Sequence, residues 1–139
     1  MELNMISGTI VDSAITVHSA LGPGLLESAY LTCLAYELRS RALNVRSQVP
    51  LPIVYRAIKL DAGYRMDLVV NDAVIVEIKA VTKVHPIHQA QLLSYLKLSG
   101  HELGLLLNFH ELSMKNGIKR MINQQRPLDK TLRTPRTLR

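Results

Sequence analysis

A carboxylate and an ammonium group lie two residues apart in the otherwise apolar stretch VIVEIKAV, residues 74–81. Side chains alternate between the two faces of a β-strand, so we expect Glu77 and Lys79 on one face and Val76 and Ile78 on the other. A charge inside a buried strand needs a partner, because its desolvation is costly. The stretch therefore predicts either a chemical site or a solvated ion pair that contributes about 0–1 kcal/mol.

Asp67 precedes this strand in the segment YRMDLVV and is followed by the turn residues Asn71 and Asp72. A two-residue loop would pair residue 67 with residue 76 and place Asp67 and Glu77 on opposite faces of the sheet. A three-residue loop, or a one-residue bulge, would pair residue 67 with Glu77 and place both carboxylates on one face. We prefer the second register because it also places five apolar residues on one face, although a sheet covered on both sides tolerates either register. These residues are Leu68, Val70, Val74, Val76 and Ile78.

Two carboxylates that converge away from water repel each other, so one must be neutral or a cation must lie between them. Mg²⁺ and Mn²⁺ suit such a hairpin, since a hard cation binds through one or two carboxylates and keeps waters for phosphate oxygens. Lys79 beside the ion could orient a water molecule and stabilise charge on a transferring phosphate. Asp67, Glu77 and Lys79 together predict a site for phosphodiester hydrolysis.

Two helices are predicted before these strands. Apolar residues recur at spacings of three and four over residues 4–21, which is typical of an amphipathic helix, and the Gly-Pro-Gly sequence at 22–24 ends it. A second apolar stripe that includes Tyr30 predicts a helix with Pro23 in its first turn and its end near Ala42.

The rest of the chain predicts a mixed sheet. Residues 45–80 are rich in β-branched residues and turn signals, which predicts at least three strands, mostly antiparallel. A helix at 85–100, opened by a His-Pro pair and ended by a glycine, leads to a buried strand at 103–109 that must run parallel to an earlier strand. A short amphipathic segment follows near 111–123. This order predicts an α/β fold in which helices cover the sheet.

Three helical residues could complete the site. Glu27 lies near the start of the second helix, where an acidic side chain stabilises the helix dipole, and on the helix face that carries Tyr30, which should turn it inward. Gln91 and Tyr95 lie one turn apart on the third helix, on the side shared with His88. The plainer interpretation is a capping charge and the polar edge of a packed helix.

The composition indicates one cytoplasmic domain. The chain has 139 residues, of which 47% are hydrophobic and 20% charged, enough for a single core. No apolar run reaches the roughly 18 residues that a membrane span needs, and the N-terminus lacks the features of a signal peptide, so we expect no membrane contact. The single cysteine, Cys33, predicts a buried inert thiol.

The positive charge is concentrated at the C-terminus. The formal net charge is +6, but five basic residues and one acidic residue lie from Arg126 onward, leaving 12 basic and 10 acidic residues before it, net +2. We therefore expect a folded domain at 1–125 and a mobile basic tail at 126–139. The tail could bind a polyanion or act only as a solubilising end.

The motifs also resemble a known family. GLLESAY, with Gly24, Glu27 and Tyr30, reproduces the G-x-x-E-x-x-Y signature of small bacterial proteins called the GxxExxY family, and RMDLVV, VEIKAV and QAQLLSYLKLSG resemble its other characteristic stretches. The resemblance runs from about Ile6 to Ile122. That family is placed in the PD-(D/E)XK nuclease superfamily, so the resemblance implies a restriction-endonuclease-like α-β-β-β-α-β core with an extra N-terminal helix.

The resemblance implies a role for each charged residue. Asp67 matches the metal-binding aspartate of the superfamily, and Glu77 and Lys79 match its E-x-K pair. The backbone carbonyl of Ile78 is implied as a further metal ligand. Glu27 is similar to the helix glutamate that supports the metal site in many members.

A substrate side is implied as well. Gln91 and Tyr95 resemble the Q-x-x-x-Y element of the RecB-like branch, which lies near substrate, and Tyr30 is expected to shape the same side. The chain departs from the pattern at Met66, where the superfamily's name has a proline before Asp67. The superfamily also includes members that bind without cutting.

Three hypotheses follow. The first is a Mg²⁺- or Mn²⁺-dependent nuclease that acts on DNA in preference to RNA, with Asp67 and Glu77 holding the metal. The second is a non-catalytic module that binds nucleic acid or protein, which the mild charge of the core favours. The third is a structural homo-oligomer, in which the apolar face of the first helix forms a dimer contact.

Overall fold

A five-stranded mixed sheet with helices on both faces forms the centre of the computed structural model, which describes residues 1–124. The helices are α1 (Leu3–Leu21), α2 (Glu27–Ser40) and α3 (Pro86–Ser99). The strands are β1 (Val45–Pro50), β2 (Ile53–Tyr55), β3 (Ile58–Leu60), β4 (Arg65–Val70), β5 (Val74–Lys79), β6 (Leu103–Asn108) and β7 (Ile118–Ile122). The predicted basic tail at 126–139 lies outside the described residues.

The sheet has the order β1-β4-β5-β6-β7. Only the β5–β6 pair is parallel, and the other three pairs are antiparallel. The parallel pairing follows from the crossover through α3, because a chain that leaves one strand and returns through a helix enters the next in the same direction. The series α2, β1, β4, β5, α3, β6 is the predicted α-β-β-β-α-β core, with α1 added at the N-terminus, and the α/β fold is confirmed.

Two elements differ from the sequence prediction. The segment between β1 and β4 forms a separate hairpin, β2–β3, outside the main sheet. The predicted amphipathic segment at 111–123 is instead a short 3₁₀ helix, Met114–Gly117, followed by the edge strand β7. Strand β7 carries the exposed basic residues Lys119 and Arg120, which are typical of an edge strand. These two residues interrupt the alternation of apolar and polar residues that would have predicted a strand.

The start of the second helix also differs. We expected Pro23 in its first turn, but α2 begins at Glu27. Gly22 and Gly24 have φ angles of 73° and 102°, which a helix cannot contain, so the chain turns before it becomes helical. The hydroxyl of Tyr30 donates a hydrogen bond to the Gly22 carbonyl and fixes this turn.

The sheet separates two apolar clusters. The first joins α1 and α2 to one face, and the second joins α3 to the other. The apolar face of α1 lies inside the first cluster, so it is not free to contact a second copy of the chain as the third hypothesis required. Its residues there are Ile6, Ile10, Ala14 and Val17. Cys33 is half-buried against the same cluster. Within residues 1–124, no helix is long and apolar enough to cross a membrane.

Candidate active site

The β4–β5 hairpin brings the two strand carboxylates together. Val70 pairs with Val74 across the three-residue loop 71–73, in which two residues have positive φ angles. The same register places Asp67 opposite Glu77, so the register that we preferred from the sequence is confirmed. Ile75, two residues before Glu77, packs in the α3 cluster, which indicates that Glu77 belongs to the α3 side of the sheet.

Beyond the last backbone pair of β4 and β5, the two carboxylates accept the hydrogen bonds that join the strands. The last ladder pair of the hairpin on this side is Leu68 with Val76. Beyond it, the backbone N–H of Asp67 donates to Glu77 Oε2 at 2.9 Å, and the backbone N–H of Ile78 donates to Asp67 Oδ2 at 2.8 Å. These two bonds fix both side chains, because each carboxylate is tied to the backbone of the opposite strand.

Strand β1 is irregular beside Asp67. Gln48 is the residue opposite Asp67 in the β1–β4 register, and its φ angle is +52°, which is rare for a residue other than glycine. Val45 packs in the first apolar cluster, whereas Val49 packs against the second. A regular strand would place these two residues on the same face. The strand therefore reverses its faces at Gln48, directly beside the candidate site.

Burial raises the pKa of both carboxyl groups, and the charge of Asp67 adds to the effect on Glu77. Glu77 is only 4% exposed. Its burial, and then the charge of Asp67, raise the pKa of Glu77 to about 8, against the lowering effects of the Asp67 N–H bond and Lys79. Burial also raises the pKa of Asp67, although the Ile78 N–H bond and Lys79 oppose it. Two negative charges are therefore unfavourable here unless a cation joins them.

Glu27 lies at the edge of this pair. It is the first residue of α2, and its Oε2 accepts a hydrogen bond from the backbone N–H of Ala80 at 3.3 Å. Its charge contributes to the raised pKa of both Asp67 and Glu77. However, no three His, Cys, Asp or Glu side chains within residues 1–124 are grouped so that they could hold a metal ion. Glu27 therefore belongs to the electrostatic site but does not form a three-residue ligand group with the other two.

The donor set fits a hard divalent cation. Asp67 and Glu77 each use one oxygen for a backbone N–H, and the second oxygen of each makes no hydrogen bond to any other described residue. Mg²⁺ and Mn²⁺ need only one or two carboxylates from the protein, because waters complete their coordination. The carbonyl of Ile78 as a further ligand stays a prediction.

A cleft opens between Lys79 and α3. It has a volume of about 630 Å³, and the predicted residues Gln91 and Tyr95 both line it. Tyr95 is close to the carboxylates as well, since burial and then the charge of Glu77 raise its pKa, with Tyr64 and Asp67 contributing. The structure thus brings Lys79, Gln91 and Tyr95 to one surface, and contact with substrate stays a prediction.

Tyr30 does not share that surface. Its ring is fully buried and stacks on Phe109 with the ring centroids 4.6 Å apart. Its hydroxyl accepts from the backbone N–H of Leu25 and donates to Gly22. The expected role in shaping the substrate side is therefore replaced by a structural one, because α2 directs this residue into the core on the sheet face opposite α3.

The cleft also contains residues that the sequence did not single out. Tyr64, Ser94 and Ile53 line it together with the residues named above. Tyr64 lies only three residues before Asp67, and this proximity is the one signal that could have identified it.

Comparison with protein families finds a match that covers most of the chain. Residues 4–121 fit the model of a family described as PD-(D/E)XK nuclease superfamily. The comparisons with curated proteins and with solved structures found no match. The finer resemblances, to the GxxExxY family and the RecB-like branch, stay predictions.

Proposed function

Because the chain belongs to the PD-(D/E)XK nuclease superfamily, we propose that it is a nuclease that hydrolyses phosphodiester bonds of DNA with Mg²⁺ or Mn²⁺. The observation that carries this proposal is the buried pair of opposed carboxylates, Asp67 and Glu77, next to Lys79 at the wall of a cleft. Such a pair destabilises the metal-free protein, which argues for a role that burial alone does not explain.

Asp67 and Glu77 would hold the metal ion through the oxygens that their backbone bonds leave unused. When bound, a divalent ion supplies charge neutralisation at the phosphate and lowers the pKa of a water molecule. Lys79, on the same face of β5 as Glu77, would hold the attacking water in line or donate to a phosphate oxygen. Glu27, oriented by the Ala80 N–H, would accept a hydrogen bond from that water and receive its proton.

The substrate strand would enter through the cleft. Gln91 and Tyr95 can donate hydrogen bonds to it from the wall that α3 provides. DNA is our choice over RNA, and a cleavage panel separates the two.

The enzyme hypothesis can be tested by cleavage assays. Single-stranded, duplex and branched DNA and a matched RNA would be incubated with Mg²⁺ or Mn²⁺ and either wild type or Lys79→Ala. We expect the variant to lose about 100-fold to 1,000-fold in rate, the usual effect of removing one group that stabilises transition-state charge. Lys97→Ala, an exposed position on α3, is the control and should cut like wild type. Equal residual cutting by wild type and Lys79→Ala would identify a contaminating nuclease.

Metal binding can be measured separately by calorimetry. Mn²⁺ would be titrated into wild type and into Glu77→Gln, and we expect much weaker binding by the variant because a neutral amide replaces one anionic ligand. Identical titrations would remove Glu77 from the metal site.

The second candidate is a non-catalytic nucleic-acid-binding module. The net charge of only +2 before Arg126 favours it, since proteins that grip several phosphates usually carry a stronger basic face. DNA binding without cleavage by any substrate or metal in the panel would support this candidate instead.

A further inference from the structure

We propose that the cleft beside Lys79 binds an unpaired nucleotide of a DNA single strand and that the base of this nucleotide stacks on Tyr64. This inference rests on the proposed function, because it names the form of DNA that the same site would take. It is carried by the chemistry of the cleft walls and by their position next to the carboxylates.

The cleft has two unlike walls and the size of a ligand site. Its volume of about 630 Å³ is within the usual range for small-molecule pockets. Helix α3 forms one wall with Gln91, Ser94 and Tyr95. Ile53, at the start of β2, and Tyr64, just before β4, form the other.

Tyr64 is available for stacking. Tyr64 is 43% exposed, although its ring contacts the ring of Tyr95. The two ring centroids are 6.3 Å apart and the planes meet at 63°, so the contact is edge to face rather than stacked. Such a contact orients Tyr64 without covering both faces of its ring, which leaves room for a nucleobase.

The charge of the lining disfavours a duplex. Proteins hold duplex DNA mainly by placing Lys and Arg against its phosphates. Among residues 1–124, Lys79 is the only Lys or Arg that lines the cleft, and Ile53, Ile87 and Leu98 make much of the rest apolar. Apolar and aromatic surface contributes little to a phosphate contact, whereas it matches the face of an unpaired base.

The α3 wall also has polar groups for a base edge. Gln91 and Ser94 lie three residues apart and therefore on the same side of the helix. Neither side chain makes a hydrogen bond to any residue within 1–124, and both line the cleft. Their amide and hydroxyl groups can accept and donate hydrogen bonds to a base or a sugar.

The cleft is continuous with the proposed active site. Lys79 lines it, and Tyr95 lies within the electric field of both Glu77 and Asp67. A base held on Tyr64 would therefore bring its own phosphate towards the carboxylates. In a duplex that base would be paired and stacked on its neighbours, so a single strand, a flap or a frayed end fits and an intact duplex does not.

Binding without cleavage tests the inference. Fluorescence anisotropy would compare a labelled single strand with the duplex of the same sequence, with EDTA present so that the DNA stays intact. We expect wild type to bind the single strand more tightly than the duplex. Tyr64→Ala should weaken single-strand binding by about 5-fold to 150-fold, the effect of losing one aromatic–base stack.

Two matched variants make the result specific. Tyr64→Phe keeps the aromatic face and should bind like wild type. Tyr36→Ala removes a tyrosine that is 73% exposed on α2, on the other side of the sheet, and should have no effect. The inference is overturned if wild type binds neither DNA, if the duplex binds as tightly as the single strand, or if Tyr64→Ala behaves like Tyr36→Ala.

The result also separates the subsite from the nuclease proposal. Single-strand binding that depends on Tyr64, without cutting under any metal condition, would support the subsite and refute the nuclease. Equal cutting of duplex and single strand by both wild type and Tyr64→Ala would support the nuclease and refute the subsite.

Discussion

Glu77 should control how the stability of the metal-free protein depends on pH. The pKa of this group is about 8 in the folded protein, against an ordinary value of 4.5. Between these values the folded protein keeps the proton while the unfolded chain releases it, so raising the pH favours the unfolded chain. We expect the free energy of unfolding to fall by about 1.4 kcal/mol per pH unit from this group. Over the whole interval the free energy of unfolding falls by at most about 5 kcal/mol. This is an upper bound because part of the shift at Glu77 comes from the charge of Asp67.

The replacement Glu77→Gln should remove this pH dependence. The amide resembles the protonated acid and keeps an oxygen to accept the Asp67 N–H. The variant should therefore match wild type below about pH 4 and be more stable than wild type near pH 8, by at most about 5 kcal/mol.

Urea denaturation in EDTA at several pH values measures both proteins. Asp12→Asn, at an exposed position on α1, is the control and should follow wild type at every pH. If wild type and Glu77→Gln lose stability in parallel between about pH 5 and about pH 8, the raised pKa of Glu77 is refuted.

Other predictions concern the metal and two structural positions. Mg²⁺ or Mn²⁺ at about 100 times its Kd should stabilise wild type by about 2.7 kcal/mol in a thermal melt, and an equal gain for Asp67→Asn would contradict binding at Asp67. Tyr30→Phe should lower the free energy of unfolding by about 1–3 kcal/mol, because the turn loses its hydrogen bonds to the Tyr30 hydroxyl. A lower cleavage rate for this variant would instead support the role of Tyr30 at the substrate side. Gly117→Ala should destabilise by about 1–3 kcal/mol because its Cβ would overlap the carbonyl of Asn108, whereas Gly8→Ala meets open space and should not, as denaturation would show.

The sequence predicted the core of the fold because its main elements have clear periods. The stripe over residues 4–21 has the helical period, and the buried run at 103–109 has the length of a strand and is too short for a typical helix. The hairpin register could also be chosen, because a one-residue slip would have separated Leu68 and Val70 of β4 from the apolar face of β5 that carries Val76. This choice placed Asp67 opposite Glu77.

The remaining elements depend on tertiary structure. Strands β2 and β3 have three residues each and are almost wholly exposed, so no alternation of buried and exposed residues marks them. The turn before α2 is set by Tyr30 from within the helix that follows, a contact that local sequence rules do not contain.

The site was predicted in part for the same reason. Asp67, Glu77 and Lys79 lie on paired strands, where spacing determines facing. Glu27 and Tyr30 belong to one motif but have different roles. Glu27, at the start of α2, accepts a hydrogen bond from the Ala80 N–H, whereas Tyr30, one turn later, is buried in the core. Sequence spacing gives the face of a helix, and only the fold shows what covers it.

The carboxylates of Asp67 and Glu77 accept backbone hydrogen bonds between β4 and β5. The residue that replaces either of them therefore decides whether an inactive variant still folds. Replacing Asp67 by alanine would leave the Ile78 N–H without an acceptor inside the sheet, so fold and activity would decline together. Asparagine there, or glutamine in place of Glu77, keeps an oxygen in position and removes only the charge. A variant intended to bind substrate without cutting it should therefore carry asparagine in place of Asp67 or glutamine in place of Glu77. Sequences that have drifted from cutting to binding should carry the same replacements.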